Sequence, residues 1–184
     1  MVAEETAVLP SRTAKRGLLI RPAIADDAGT ILALIRELAL FEEALDSVEN
    51  SEAAIRREGF GERPAFEVLI AEAKGTGAER ETAGMALFYS TYSTWTGRRG
   101  LFIDDLFVRE RFRSQGVGAA LISEVARIAV LRGATRLDLQ VLDWNSARRF
   151  YERLGLQHKS RWLPYRAEGE ALATLASLAE AGEG

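Results

Sequence analysis

Arg111-Phe112-Arg113-Ser114-Gln115-Gly116-Val117-Gly118-Ala119 is the stretch on which the fold turns. An apolar run, Leu101 to Arg109, precedes it as a strand. A helical stripe comes next, with Leu121, Ile122, Val125, Ile128 and Ala129 facing inward, so Gly116 opens a helix that runs to about Arg132 and that Gly133 ends in the left-handed conformation. Thr135 to Val141 is the next strand, and strand–helix–strand order implies parallel pairing. The first turn of a helix carries unsatisfied N–H groups and a partial positive charge, which suits a phosphate. Gly116 and Gly118 remove side chains that would block close approach, and Arg113 adds a formal charge. The alternative is a turn whose glycines serve only chain reversal. The third glycine of a dinucleotide fingerprint is absent, and the turn has no Gly-Lys-Ser/Thr after it, so neither of the two common phosphate motifs applies.

Upstream, Gly17 to Arg21 forms a short strand stopped by Pro22, and Asp26 or Asp27 can cap a helix carrying Ile31, Leu34, Ile35, Leu38 and Phe41 on one face. A shorter helix covers Ser51 to Glu58. Phe66 to Glu72 and Gly84 to Thr91 are strands joined by the glycine-containing loop Lys74 to Glu81. Downstream, Ser146 to Leu154 is a helix ended by Gly155, with Ser146 as its cap, and Glu168 to Glu180 is an amphipathic terminal helix. The reading is α/β: one domain over residues 17–184 with a mixed central sheet flanked by helices, behind a flexible extension at residues 1–16.

Composition narrows the chemistry. The 184 residues carry 24 Lys+Arg against 27 Asp+Glu, a net charge of −3 that argues against a dedicated nucleic-acid binder. With no cysteine there is no thiolate metal site or thiol acyl-enzyme, and the single histidine, His158, excludes HExxH zinc chemistry, so no metal is expected. No apolar run approaches the ~20 residues of a membrane span, and the N-terminus does not read as a signal peptide, so a cytoplasmic protein is expected.

Downstream of the phosphate turn stand Trp144-Asn145 and Phe150-Tyr151-Glu152-Arg153-Leu154-Gly155. Together with Arg113-x-x-Gly116-x-Gly118 after Asp104-Asp105-Leu106-Phe107-Val108, they resemble the motifs of the GNAT superfamily of N-acetyltransferases. The resemblance extends from Leu18 to Arg166 toward the diamine (spermidine/spermine) branch, through Ile20-Arg21-Pro22-Ala23, Gly59-Phe60-Gly61-Glu62-Arg63-Pro64 and Thr91-Tyr92-Ser93-Thr94-Trp95-Thr96-Gly97. It implies acetyl-CoA as co-substrate, a small-molecule primary amine as acceptor and a homodimer. Leu106, Phe107 and Val108 would offer strand backbone to pantetheine. Arg113, Ser114, Gln115, Gly116, Val117, Gly118 and Ala119 would hold the pyrophosphate. Asn145 would bind the cofactor near its amide-bearing arm, and Tyr151 would stand by the sulfur as general acid. Phe41 and Glu42 match a tyrosine-glutamate pair that touches substrate in that branch. Asp104 matches a glutamate that acts as base or water relay and holds the substrate ammonium. The separation from Asn145 to Tyr151 is six residues (151 − 145), one less than the family's. A residue lost within a helix rotates every later side chain by ~100°, so the loop at Asn145-Ser146 has to absorb the gap.

Acetyl transfer to an amine needs the neutral amine, and with a reference pKa near 10.4 only about one in 2,500 is neutral at pH 7, a cost of ~4.6 kcal/mol. A carboxylate that takes the proton and an acid that protonates the leaving thiolate each supply ~10²–10⁴ in rate. Strand alternation places Asp104 with Phe102 and Leu106 on one face, and Asp105 with Ile103 and Phe107 on the other. The acids Glu42, Glu43, Asp46, Glu49 and Glu52, with no basic residue among them before Arg56, would draw in a polycation or form a solvated face. The apolar stripe of the terminal helix covers either the domain or a second subunit. The competing readings are a protein or aminoglycoside acetyltransferase and a non-catalytic acyl-CoA-binding module.

Overall fold

Period-two runs of β-branched and apolar residues build a sheet whose two faces are each covered by helices. The computed structural model describes residues 12–14, 17–75 and 79–180, and it divides into two compact units, Met1–Leu142 and Asp143–Gly184. In the first unit the strands are β1 (Arg12–Ala14), β2 (Leu18–Pro22), β3 (Glu67–Lys74), β4 (Arg80–Ser93), β5 (Arg98–Val108) and β6 (Leu137–Leu139). They lie side by side in chain order. Neighbours are antiparallel except β5 and β6, which run parallel across a helix, as the strand–helix–strand reading requires. The strand expected over Thr135 to Val141 is shorter, because β6 pairs with β5 only at Leu101 to Ile103. Residues 12–14, which fall within the expected extension, pair with Leu18 to Ile20. The rest of that expected extension lies outside the described residues.

Helices α1 (Ala28–Phe41) and α2 (Glu52–Phe60) cover one face. Ala28, Ile31, Leu32 and Leu34 of α1 and Ile55 of α2 pack with Val68, Ile70, Met85, Leu87 and Phe107 of the sheet. Fully burying each large aliphatic side chain contributes about 1.5–3 kcal/mol. Leu69 and Phe88 alternate onto the other face, where α3 (Val117–Leu131) packs on β4 and β5 through its buried Leu121, Val125 and Ile128. Gly133, at φ +67°, ends α3 as expected, with Ala134 N donating to Ala129 O at 2.9 Å and Gly133 N to Val130 O at 3.1 Å.

Asp27 precedes α1 but makes no side-chain cap on it. Its carboxylate instead takes Arg21 Nη1 and Nη2 at 2.7 and 2.8 Å and Ile24 N at 2.8 Å, while Arg21 Nε reaches Glu72 at 2.7 Å. The entry to α1 is thereby tied to β2 and β3. Burial raises the Asp27 acid, but Arg21 and the Ile24 N–H outweigh it and hold the carboxyl below its usual range. A depressed folded-state pKa contributes stability above the unfolded value, about pH 4, and that stability disappears as pH falls through the folded value. Asp27→Ala should therefore cost about 2–4 kcal/mol at pH 7. Urea midpoints should show the loss shrinking below pH 4.

In the second unit, α4 (Ala147–Arg153) and α5 (Glu170–Glu180) are helical, and Leu172, Leu175 and Leu178 on α5 are exposed. Among the described residues, no helix is long and apolar enough to cross a membrane, and no cluster of His, Cys, Asp and Glu could hold a metal.

Candidate active site

β5 changes character at Ile103. From Leu101 to Ile103 it has strand neighbours on both sides. From Asp104 to Val108 it has only β4, among the described residues. At the same point it carries a bulge: Phe88 pairs with Ile103 and Leu87 with Asp105, leaving Asp104 opposite nothing. An extra residue moves everything beyond it to the other face. Asp105 therefore does not share a face with Ile103, as simple alternation requires. It sits with Phe107, Met85 and Leu87 on the side that α1 covers, whereas Ile103 sits with Phe88 on the α3 side.

The bulge gathers acids at the end of α1. Asp104 is exposed and Asp105 is half-buried. Burial pushes the Asp105 carboxyl up to about 6, with the charges of Asp104 and Glu42 adding to the effect. Glu42, also half-buried, is raised by burial. Tyr89 stacks on Phe102 with ring centroids 5.4 Å apart, and its hydroxyl is raised by burial and by the charge of Asp104. The sequence-predicted Glu42 and Asp104 are thus brought to one region. Asp105 and Tyr89 join them there, and sequence reasoning assigned neither of these two a role. Two adjacent acids inside an apolar strand signalled a break in alternation; nothing marked Tyr89.

The turn before α3 has Ser114 at φ +60° and Gly116 at φ +84°, both left-handed. A Cβ at Gly116 would meet nothing within 4 Å, so glycine is needed there for its backbone and not for space. Ala120 N bonds to Gly116 O at 3.0 Å. The N–H groups of Val117, Gly118 and Ala119 precede it, and an α-helix offers them no acceptor. Gln115 folds back to Arg111 O at 2.8 Å. Of three nearby arginines, Arg109 holds Glu37 at 2.6–3.1 Å and Thr82 O at 3.0 Å, and Arg111 pairs with Glu81. Arg113 has no carboxylate partner among the described residues; its Nε donates to Val108 O at 2.9 Å and its guanidinium lies 4.8 Å from the Phe41 ring centroid. Leu106 and Val108 are half-buried, and Phe107 is buried against α1.

In the second unit, Asn145 lines a recess of about 520 Å³ with Trp144, Arg148 and Arg149. Its Oδ1 accepts from Ala147 N at 2.9 Å, so Asn145 caps α4 and Ser146, expected to do so, makes no side-chain cap. Tyr151 lies beside Phe150, with ring centroids 5.4 Å apart. The Tyr151 carbonyl accepts from Leu156 N at 3.1 Å across Gly155, which stands at φ +91°.

The profile of the acetyltransferase (GNAT) family matches residues 32–156. The chain is 42% identical over 166 residues to a thialysine N-epsilon-acetyltransferase of Bos taurus, covering 86% of this chain and 97% of that one. It is 35% identical over 165 residues to a human spermidine/spermine N(1)-acetyltransferase-like protein 1, covering 85% of this chain and 23% of that one. Its fold is similar to that of an integron cassette protein from the V. cholerae mobile metagenome, with a TM-score of 0.71 at 22% identity over 87% of this chain and 98% of that one.

Because its folded-state pKa is raised, Asp105 costs stability as pH climbs from about 4 through about 6. Asp105→Asn removes that cost, so the variant should be more stable than the parent by roughly 1–3 kcal/mol at pH 8. At pH 4 the two should unfold at the same urea concentration.

Proposed function

We propose, from the premise that this chain belongs to the acetyltransferase (GNAT) family, that it moves an acetyl group from acetyl-CoA to a primary amine of a small molecule. The substrate class is a lysine analogue such as thialysine, or a diamine or polyamine. The observation that carries this reading is the pairing of two features along one connection: the turn after β5 leads to amides of α3 with no helical acceptor, and the one-sided segment of β5 begins at a cluster of acids. An anionic cofactor and a cationic acceptor ask for that polarity. The relatives named for thialysine and spermidine/spermine supply the amine class.

The residues fit an acyl-CoA donor, which supplies an acyl carbon activated as a thioester and a thiolate leaving group. The backbone of Ser114 to Ala119 holds the diphosphate, with the Arg113 charge beside it. The free edge of β5 at Leu106 offers its N–H and C=O groups to the pantetheine amides; Phe107 turns its own toward β4, and the Val108 carbonyl is already bonded to Arg113. Asn145 is assigned to the cofactor and Tyr151 to protonation of the departing sulfur, both from their motifs. Asp104 and Asp105 bind the incoming ammonium and take its proton, directly or through water. A cation there also relieves the repulsion among Glu42, Asp104 and Asp105. Phe41 and Glu42 border the amine. The same reading includes a homodimer, which the exposed stripe on α5 supports.

A thiol-release assay over thialysine, lysine, putrescine and spermidine tests the activity, and no turnover of any amine would reject it. Tyr151→Phe and Asp104→Asn should each lower kcat by roughly 10²-fold or more; full activity in both would point to a non-catalytic acyl-CoA-binding module. Gly116→Val forces a left-handed β-branched residue into the turn. By calorimetry it should weaken CoA binding at least about tenfold, the scale of one lost charge-assisted contact.

A further inference from the structure

The side of the sheet that α1 covers continues past the acids. Leu87 pairs with Asp105 and Tyr89 with Phe102, so the bulge leaves these two rows only two β4 residues apart, about 7 Å. Tyr89 and Phe102 are half-buried, and their rings stack with centroids 5.4 Å apart. On the other flank of Phe102, β6 brings Asp138 into register with it, and residues in register share a face. Arg136, two residues before Asp138, lies on that face too, with its Nε 2.9 Å from Asp138 Oδ2. Gly100, which pairs with Thr91, makes room for the arginine: a Cβ there would stand 2.8 Å from Arg136 Cγ and 2.8 Å from Thr91 Oγ1. Thr91 Oγ1 is buried and has no hydrogen-bond partner among the described residues.

Three chemistries thus follow one another along one face: the acids at Asp105, the aromatic pair, and an arginine–aspartate pair. The side chains of that last pair are 45% and 44% exposed, and a guanidinium held through Nε keeps its other donors for a ligand. A diamine or polyamine extended along this face would bring a second cation to Arg136. An α-amino acid would bring a carboxylate to Arg136 and an ammonium to Asp138, two charge-assisted contacts. In an extended lysine analogue, five bonds separate the α-carbon from the terminal nitrogen, about 6 Å. That length matches the spacing of the rows, with the chain laid across Tyr89 and Phe102.

We infer that Arg136 and Asp138 form the subsite for the α-carboxylate and α-ammonium of the acceptor, which makes that acceptor a lysine-like amino acid in preference to a polyamine. The inference rests on the acetyltransferase reading and assigns the far end of its substrate.

The experiment measures kcat/KM for three acceptors: thialysine, the diamine left when its carboxylate is removed, and the ω-amino acid left when its α-amino group is removed. Wild-type protein should prefer thialysine to each of the others by about tenfold or more, the scale of one charge-assisted contact. Arg136→Gln should cut the preference over the diamine about tenfold, through KM. Asp138→Asn should do the same to the preference over the ω-amino acid. A wild type that favours the diamine overturns the inference, as does a preference that stays within about twofold of wild type in either variant. A loss falling equally on all three acceptors, which a merely structural ion pair would give, overturns it too. If wild-type protein acetylates none of them, the acetyltransferase reading fails by itself, and calorimetric titration of thialysine in the presence of CoA judges the subsite. Binding about tenfold weaker in Arg136→Gln than in wild type sustains it, and equal binding or none overturns it.

Discussion

Beyond Ile103, β5 keeps one strand neighbour and loses the other, and much of the molecule's design answers to that constraint. Backbone N–H and C=O groups away from a ladder need partners or water. β5 meets the change with a bulge at Asp104, an arginine returned to the Val108 carbonyl and a left-handed turn into α3. The edge left between these devices is a row of main-chain donors and acceptors suited to a ligand with amides of its own. It leads directly to a helix N-terminus suited to an anion.

The distribution of charge obeys the same constraint. Arg109 and Arg111 could have made the whole end of β5 basic, but Glu37 and Glu81 neutralise them. Arg113 at the turn has no carboxylate partner among the described residues, and acids gather at the bulge. Burial and mutual repulsion both raise the Asp105 carboxyl, and carboxyls gathered without a cation are destabilised relative to the same groups in water. Such an arrangement costs folding free energy, and a cation placed beside it would relieve that cost. The Arg21–Asp27–Glu72 cluster is the contrast within the same unit. There the acids have their arginine, the Asp27 carboxyl is depressed, and the group holds the fold together.

The elements that local chemistry dictates were legible in the sequence. Gly116, Gly133 and Gly155 stand at positive φ where helix boundaries were expected, and the inward residues of α3 are the apolar stripe of its sequence. The parallel strand after α3 was readable from chain order alone. The features that escaped depend on a neighbour distant in sequence. Alternation groups Asp105 correctly with Phe107 but wrongly with Ile103, since a bulge is a property of two strands and the register of β4 decides it. Asp27 looked like a cap because the sequence does not show Arg21 competing for its carboxylate. Nothing in Arg113's own stretch reveals its contact with the Phe41 ring.

The shortened spacing between Asn145 and Tyr151 can be placed by the same physics. α4 has seven residues, so its phase is set by its two ends. At the C-terminal end, Leu156 N bonds to Tyr151 O and Gly155 N to Glu152 O, with Gly155 left-handed, which fixes Tyr151 relative to the stretch that carries its motif. At the N-terminal end, Asn145 Oδ1 bonds to Ala147 N and Asn145 O accepts from Arg148 N at 3.2 Å. Asn145 thereby supplies the side-chain cap, and Ser146, in the position next to the helix, supplies none. The bonds at the C-terminal end of α4 hold Tyr151 in phase with Gly155. The carboxamide oxygen of Asn145 is committed to the cap, which leaves its NH2 as the side chain's donor.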